Sequence, residues 1–179
     1  MAYEILQSQK VYEGVIFDVE QRKVRLPNGE EARRDVVTHN GAAAVVALAD
    51  SGDLVLVRQH RQGADGPMLE LPAGKLDPGE DPQKCAQREL AEETGYVAEG
   101  LRLLTKLHVA AAYCTEVIHL FFAGKTKPGP TNPDPDEFVT VETHSLMDAL
   151  RMVQDGTITD AKTVAGVLYY AVFAGSLTS

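Results

Sequence analysis

Three glutamates, Glu89, Glu92 and Glu93, fall within five positions of the run Arg88-Glu89-Leu90-Ala91-Glu92-Glu93-Thr94-Gly95. On a helix, like charges three or four residues apart repel, and each pair costs a few tenths of a kcal/mol. A chain that keeps such a cluster has either a solvated acidic face or a use for concentrated carboxylate oxygen. Carboxylates in a tight group suit a hard divalent cation such as Mg²⁺ or Mn²⁺. At 100° per residue Ala86, Leu90 and Glu93 share one face, with Glu89 just beside them. Glu92 lies further round, four residues after Arg88 and able to pair with it. Glu89 and Glu93 therefore border a buried stripe, where desolvation and mutual repulsion raise their pKa values unless a cation joins them.

The helix that must carry these groups has clear ends. Asp81-Pro82 combines a capping side chain with proline at the first helical position, and Gly95 supplies a left-handed residue at the exit. Further strands are expected around it. The first forty residues read as strand, strand, a turn at Pro27-Asn28-Gly29 and another strand. Gly41–Ala49, Leu54–Arg58, Leu101–Val109, Glu116–Ala123 and Phe138–Glu142 read as strands, and Ser145–Gln154 and Asp160–Ala174 as helices separated by Gly156. Strands outnumber helices without regular alternation. That order predicts an α/β fold with a mixed sheet sandwiched by a few helices, not a doubly wound parallel sheet. Residues 1–40 are expected to form a β arm attached to a domain over residues 41–179.

The chain has 179 residues, 44% hydrophobic and 24% charged, which suits one domain with room for a short arm. Its net charge of −9 and pI near 5.0, with no basic stripe, disfavour nucleic acid. A small phosphate ligand stays open, because beyond ~10 Å salt screens the global field and local charge decides. Cys85 and Cys114 form no CxxC pattern, so neither a disulfide framework nor a cysteine zinc site is expected, and a reducing cytoplasm fits best. The N-terminus MAYEILQSQK has no apolar leader, and the longest apolar run, Gly41–Ala49, is too short to cross a bilayer, so no membrane partner is expected.

Several other residues bear on binding. Arg58 and Arg61 end a strand just before Gly74; such residues are either surface charges or guanidinium ligands for phosphate. The stretch Lys125–Glu137, rich in proline and glycine, is either an exposed loop or a mobile lid. The tripeptide Gly124-Lys125-Thr126 is not a phosphate-cradling Walker loop, because His119 stands where that loop needs glycine. No HExxH, GxSxG or GxGxxG is present, which leaves zinc-protease, serine-nucleophile and dinucleotide-fold chemistry without support.

The longer string from Gly74 to Tyr96 resembles the Nudix box, the loop–helix–loop signature of the Nudix hydrolases. All seven of its fixed glycine, glutamate and arginine positions are matched, by Gly74, Glu80, Arg88, Glu89, Glu92, Glu93 and Gly95. Leu90 supplies the interior aliphatic, and Tyr96 replaces the closing one. The resemblance implies an α/β/α sandwich and hydrolysis of a nucleoside diphosphate linked to another moiety, with Mg²⁺ or Mn²⁺ assisting attack by water. It casts Glu89, Glu93 and the carbonyl of Ala73 as metal ligands and Glu92 as a further ligand or a neighbour. Arg88 would orient Glu92, and Glu80 would be mainly structural.

Around the box, Arg58-Gln59-His60-Arg61 and Glu70-Leu71-Pro72-Ala73-Gly74 are similar to the ADP-ribose pyrophosphatase branch. Tyr113–Ala123 and Ile158–Thr163 also resemble it. This likeness implies ADP-ribose as substrate, yielding AMP and ribose 5-phosphate, with Arg58, Arg61 and Glu70 on the substrate. It further implies a homodimer whose arm reaches the neighbouring site, bringing Arg34 to the base. An acidic residue of the Lys125–Glu137 loop, Glu137 or else Asp136, would act as general base. The branch usually carries a Pro-Gly turn where this chain has Ala110-Ala111-Ala112, so GDP-mannose and ADP-glucose stay open as alternatives. A nucleotide-sensing module without catalysis is a further alternative, against which the intact box argues.

Overall fold

The computed structural model describes residues 3–129 and 138–177. Two compact units make up the chain: residues 1–41 with 108–117, and residues 42–107 with 118–179.

The first unit contains strands β1 (Glu4–Glu13), β2 (Asp18–Arg25) and β3 (Glu31–Thr38), an antiparallel sheet in that order. Alternating charged residues cross-pair along it, as in Arg25–Glu4 and Lys23–Glu31. Its apolar residues are largely outside: Ile5, Val11, Tyr12, Val15 and Ile16 are all more than half exposed. Residues 108–117 join this unit through Val37, whose N–H donates to the Tyr113 carbonyl at 2.7 Å while its carbonyl accepts from Thr115 N at 2.9 Å.

The second unit is built on β4 (Ala42–Leu48), β5 (Leu54–Arg61), β6 (Gly66–Glu70), β7 (Ala73–Lys75), the helix α1 (Pro82–Thr94), β8 (Tyr96–Ala98), β9 (Arg102–His108), β10 (Val117–Ala123), β11 (Thr126–Pro128), β12 (Thr140–His144), and the helices α2 (Leu146–Asp155) and α3 (Ala161–Leu177). The main sheet runs β12-β5-β4-β10-β9, with β6 paired to β5 and β7 to β4. The β4–β10 pair is parallel, while β4–β5, β5–β6, β4–β7 and β5–β12 are antiparallel, so the sheet is mixed.

Alternation along the central strands makes two cores. Ala43, Val45 and Ala47 of β4 pack with Val55, Phe121 and the Cys85, Ala86 and Leu90 face of α1. Ala44, Val46 and Leu48 point the other way, toward Leu54, Leu56, Leu120 and Phe122, with Ala149 of α2 and Val167 and Tyr170 of α3. A strand covered on both faces has no polar side to show, which is why β4 is an unbroken buried run. Each fully buried Leu or Val contributes roughly 1.5–3 kcal/mol.

The expected α/β sandwich with its antiparallel arm is present. The short strands β6, β7, β8 and β11 differ from the sequence expectation. Three of them have only three residues, too few for a period of two to show, and β6 begins Gly-Pro. The last strand also sits later than expected, at Thr140–His144 instead of Phe138–Glu142, where its register places Thr140 opposite Arg58.

Candidate active site

The site is assembled where β6 turns into β7 and meets α1. Asp81 caps the helix by accepting from Gln83 N at 3.0 Å and Lys84 N at 3.2 Å, and Gly95, at φ 70°, closes it with its N–H on the Ala91 carbonyl. The apolar face of Cys85, Ala86 and Leu90, packed on the sheet, sets the rotation of the helix, and with it which glutamates face inward.

Glu93 faces inward and is 5% exposed. Its Oε2 accepts from Ala73 N at 2.9 Å and its Oε1 from Gln59 Nε2 at 3.0 Å. Glu89, 8% exposed, lies against the backbone of Gly74. A Cβ at Gly74 would come within 2.0 Å of the Glu89 carboxyl, so only glycine lets the strand approach this closely. Glu92 is partly exposed on the outer side of the helix.

Arg88 ties the group together. Its Nε and Nη2 donate to the two oxygens of Glu80 at 3.1 and 3.0 Å, and its Nη1 donates to Glu89 at 2.6 Å and to Glu92 at 3.1 Å. Nη2 also reaches the Lys75 carbonyl at 3.3 Å. The Glu80 contact is the main reason the Arg88 pKa rises further, and in return Arg88 holds the Glu80 carboxyl below the usual range. Cys85, one turn earlier, points its thiol at the carbonyls of Gly74 and Lys75, both at 3.6 Å. Burial, followed by the nearby Glu80 and Glu89, pushes that thiol up to about 12, so it stays protonated and inert.

A second ion-pair group stands beside Glu93. Glu70, on β6, is 1% exposed and takes a bidentate contact from Arg61 at 2.8 and 2.9 Å. Lys162, just inside α3, grips the same carboxylate and lies 3.0 Å from Asp160. Burial opposes ionisation of Glu70, but Arg61 and Lys162 overcome it and hold its pKa below the usual carboxylate range. Glu70 chiefly raises the Arg61 pKa, with smaller contributions from Glu93 and Asp160, so the cluster lies within electrostatic reach of the helix glutamates.

Of the residues singled out from sequence, Ala73, Arg88, Glu89, Glu92 and Glu93 come together. Arg61 and Glu70 pair with each other beside them. Arg58 instead forms a bidentate pair with Glu142 of β12, at 2.5 and 3.2 Å, and His144 also contacts that carboxylate at 2.9 Å. Arg34 is exposed on β3, its Nη1 donating to the Arg33 carbonyl at 2.7 Å. Asp136 and Glu137 lie outside the described residues.

Gln59, Lys162, Asp160 and Thr163 stand in the site surroundings without a role assigned from sequence. Gln59, Lys162 and Thr163 meet partners 34 to 92 positions away, and no local pattern marks such contacts.

Among the described residues, no three acidic, His or Cys side chains stand ready as a coordination shell; the Arg88 guanidinium bridges Glu89 and Glu92, and Glu93 is engaged by Ala73 N and Gln59. The donor chemistry nevertheless fits a hard divalent cation: three carboxylates within five positions of one helix, two of them buried, packed against the Ala73-Gly74 backbone where a glycine lets the strand approach.

A mixed sheet between helices, with a glycine-flanked carboxylate helix against the β6–β7 corner, suits a hydrolase that cleaves phosphate anhydrides with a divalent cation. The chain belongs to the Nudix family: the family model described as NUDIX domain matches residues 38–166. It is 37% identical to ADP-ribose pyrophosphatase of Bacillus subtilis (strain 168) over 166 residues, covering 92% of this chain and 90% of that protein. It is 36% identical over 166 residues to the methanol dehydrogenase activator of Bacillus methanolicus, with the same coverage of 92% and 90%. Among solved structures, one described as an ADP compounds hydrolase superposes with a TM-score of 0.86 at 25% identity, over 100% of this chain and 98% of the other. No helix among the described residues is long and apolar enough to cross a membrane.

Proposed function

We propose that the chain hydrolyses the pyrophosphate bond of ADP-ribose, giving AMP and ribose 5-phosphate, with Mg²⁺ as the working cation and Mn²⁺ as a substitute. The observation that carries this reading is the seating of Glu89 and Glu93 against the Gly74 and Ala73 backbone, beside Glu92. The similarity to an ADP-ribose pyrophosphatase supports the choice of substrate. A cation held there would supply charge neutralisation at the pyrophosphate oxygens and a lowered pKa for the attacking water.

The chain's own residues divide the work. Glu89, Glu93 and the Ala73 carbonyl would hold the cation, with Glu92 as a further ligand. Arg88 keeps Glu89 and Glu92 oriented and limits their repulsion. Water attacks one phosphorus, the bridging P–O bond breaks, and the water's proton passes to a carboxylate of the Lys125–Glu137 loop, Glu137 first and Asp136 second. Arg61 and Arg58 can exchange their carboxylate partners for substrate phosphate, since both are partly exposed. Glu70 sets the Arg61 fork for that exchange.

The exposed apolar residues of the arm, residues 1–40, support a homodimer in which the arm pairs with a second copy and brings Arg34 to the partner's nucleotide. The protein would work in the cytoplasm on a small nucleotide, with neither nucleic acid nor membrane as partner.

The test is product analysis with Mg²⁺ and a panel of ADP-ribose, ADP-glucose, GDP-mannose, NADH and a nucleoside triphosphate. AMP with ribose 5-phosphate as the preferred products is expected. Preference for GDP-mannose or ADP-glucose would overturn the substrate and keep the reaction, as the Ala110-Ala111-Ala112 segment allows. Tight binding without cleavage of any of them would overturn the hydrolase reading in favour of a sensor. Glu137→Gln is expected to lower kcat with KM little changed; an unchanged kcat would move the base to another residue.

A further inference from the structure

The corner Leu71-Pro72-Ala73 is tethered at three consecutive residues to three different elements. Leu71 N donates to Thr163 Oγ1 of α3 at 2.9 Å, Val45 N of β4 donates to the Pro72 carbonyl at 3.0 Å, and Ala73 N donates to Glu93 Oε2 of α1 at 2.9 Å. The last two tethers come from the sheet and from the box helix. The first spans 92 positions of sequence.

Thr163 is wholly buried, and its hydroxyl is used in both directions. While accepting from Leu71, it donates to Asp160 Oδ2 at 2.6 Å, and the same oxygen accepts from Thr163 N at 2.9 Å. Lys162 bridges Asp160 and Glu70. The start of α3 thus holds two successive residues, Glu70 at the end of β6 through its side chain and Leu71 of the corner through its backbone. Pro72 stiffens the link from Leu71 to Ala73, because its φ is fixed. Any shift at Leu71 is therefore passed to Ala73 and Gly74, which touch Glu93 and Glu89. A metal site needs its ligands held to within about 0.5 Å.

We infer that Thr163 is a positioning residue of the active site: by fixing Leu71 it sets where Ala73 and Gly74 stand against Glu93 and Glu89, and so sets the affinity for the divalent cation. The inference rests on the cation site of the proposed function. The beginning of α3 thereby takes a part in that site, through the backbone of the corner.

Mn²⁺ binding followed by electron paramagnetic resonance, without substrate, tests it on the full chain. The comparison is wild type against Thr163→Val, which keeps the shape and removes the hydroxyl, and Thr163→Ser, which keeps the hydroxyl. Thermal melts establish that each is folded, and kcat and KM are measured at fixed and at saturating Mg²⁺. Thr163→Val is expected to bind Mn²⁺ about tenfold more weakly, in the range seen when groups supporting metal ligands are removed. Its kcat at fixed Mg²⁺ should fall while KM at saturating Mg²⁺ holds, and Thr163→Ser should restore the affinity. A folded Thr163→Val with wild-type Mn²⁺ affinity would overturn the inference and leave Thr163 a purely structural residue. Should Thr163→Val fail to fold, Asp160→Asn, which weakens the acceptor of the Thr163 hydroxyl, carries the same expectation and the same refutation. Absence of Mn²⁺ binding by the wild type would instead overturn the cation site itself.

Discussion

Two ion-pair clusters flank the same corner and are built in opposite ways. Arg88 gathers Glu80, Glu89 and Glu92, all within eight positions of itself, and its own side chain is one-third exposed. Glu70 gathers Arg61 and Lys162, the latter 92 positions away, around a carboxylate that is 1% exposed. The first cluster arises from helix geometry and a short loop, and its charges remain within reach of water and of a cation. The second exists only when β5, β6 and α3 have met, so it reports on the tertiary fold. The molecule thus builds one cluster from local structure and centres the other on a buried carboxylate that only long-range structure supplies with partners.

That contrast can be broken by substitution. The largest effect is expected for Glu89→Gln, which keeps shape and removes a ligand charge: kcat/KM should fall about a thousandfold, ~4 kcal/mol of transition-state stabilisation, with Tm nearly unchanged. A variant that loses its fold instead would make the local cluster as structural as the buried one. Glu70→Gln should do the reverse first, costing about 3 kcal/mol of stability because it leaves Arg61 and Lys162 facing each other. For a domain of this size that is a Tm drop of roughly 6–12 °C, readable by calorimetry. Gly74→Ala should lower kcat/KM about a hundredfold, since the added Cβ displaces Glu89 from a contact with no room for it.

Acid sharpens the comparison further. The folded pKa of Glu70 lies below its unfolded value, so the stability it contributes is present above the ordinary carboxylate pKa and is lost as pH falls through the lower folded one. The stability advantage of wild type over Glu70→Gln should therefore be full at pH 7 and shrink in acid, which urea midpoints across the range would show. A constant advantage would mean that Glu70 is held by shape and not by charge. The smallest effect is expected at the partly exposed Arg58–Glu142 pair, where Arg58→Met should change stability by about 0.5 kcal/mol. A loss as large as that at Glu70 would remove the distinction between surface and buried pairs.

The legibility of the sequence divides along the same line. The helix Pro82–Thr94 is readable to its ends, because Asp81-Pro82 and Gly95 act within one turn of where they stand. The neighbourhood of Glu89 and Glu93 on one face is readable for the same reason. The sheet order is not, nor are the three-residue strands, one of which brings Ala73 to Glu93. Gln59, Lys162 and Thr163 lie in segments that the branch resemblance marks, but their partners, 34 to 92 positions away, are set only by the folded chain. Arg58 and Arg61 illustrate the middle case. Their place at the end of the strand that precedes the box is visible in the chain, but the carboxylates that hold them, Glu142 and Glu70, are chosen by strand register.

If α1 presents its glutamates to a divalent cation that drives hydrolysis, the most direct test is the rate of AMP release from ADP-ribose as Mg²⁺ is titrated, for wild type and for Glu93→Gln of equal thermal stability. Saturable activation by Mg²⁺ in the wild type, with turnover nearly abolished in Glu93→Gln, is the predicted result. Near-normal turnover by Glu93→Gln, or a rate indifferent to Mg²⁺ and to its removal by chelator, would contradict it.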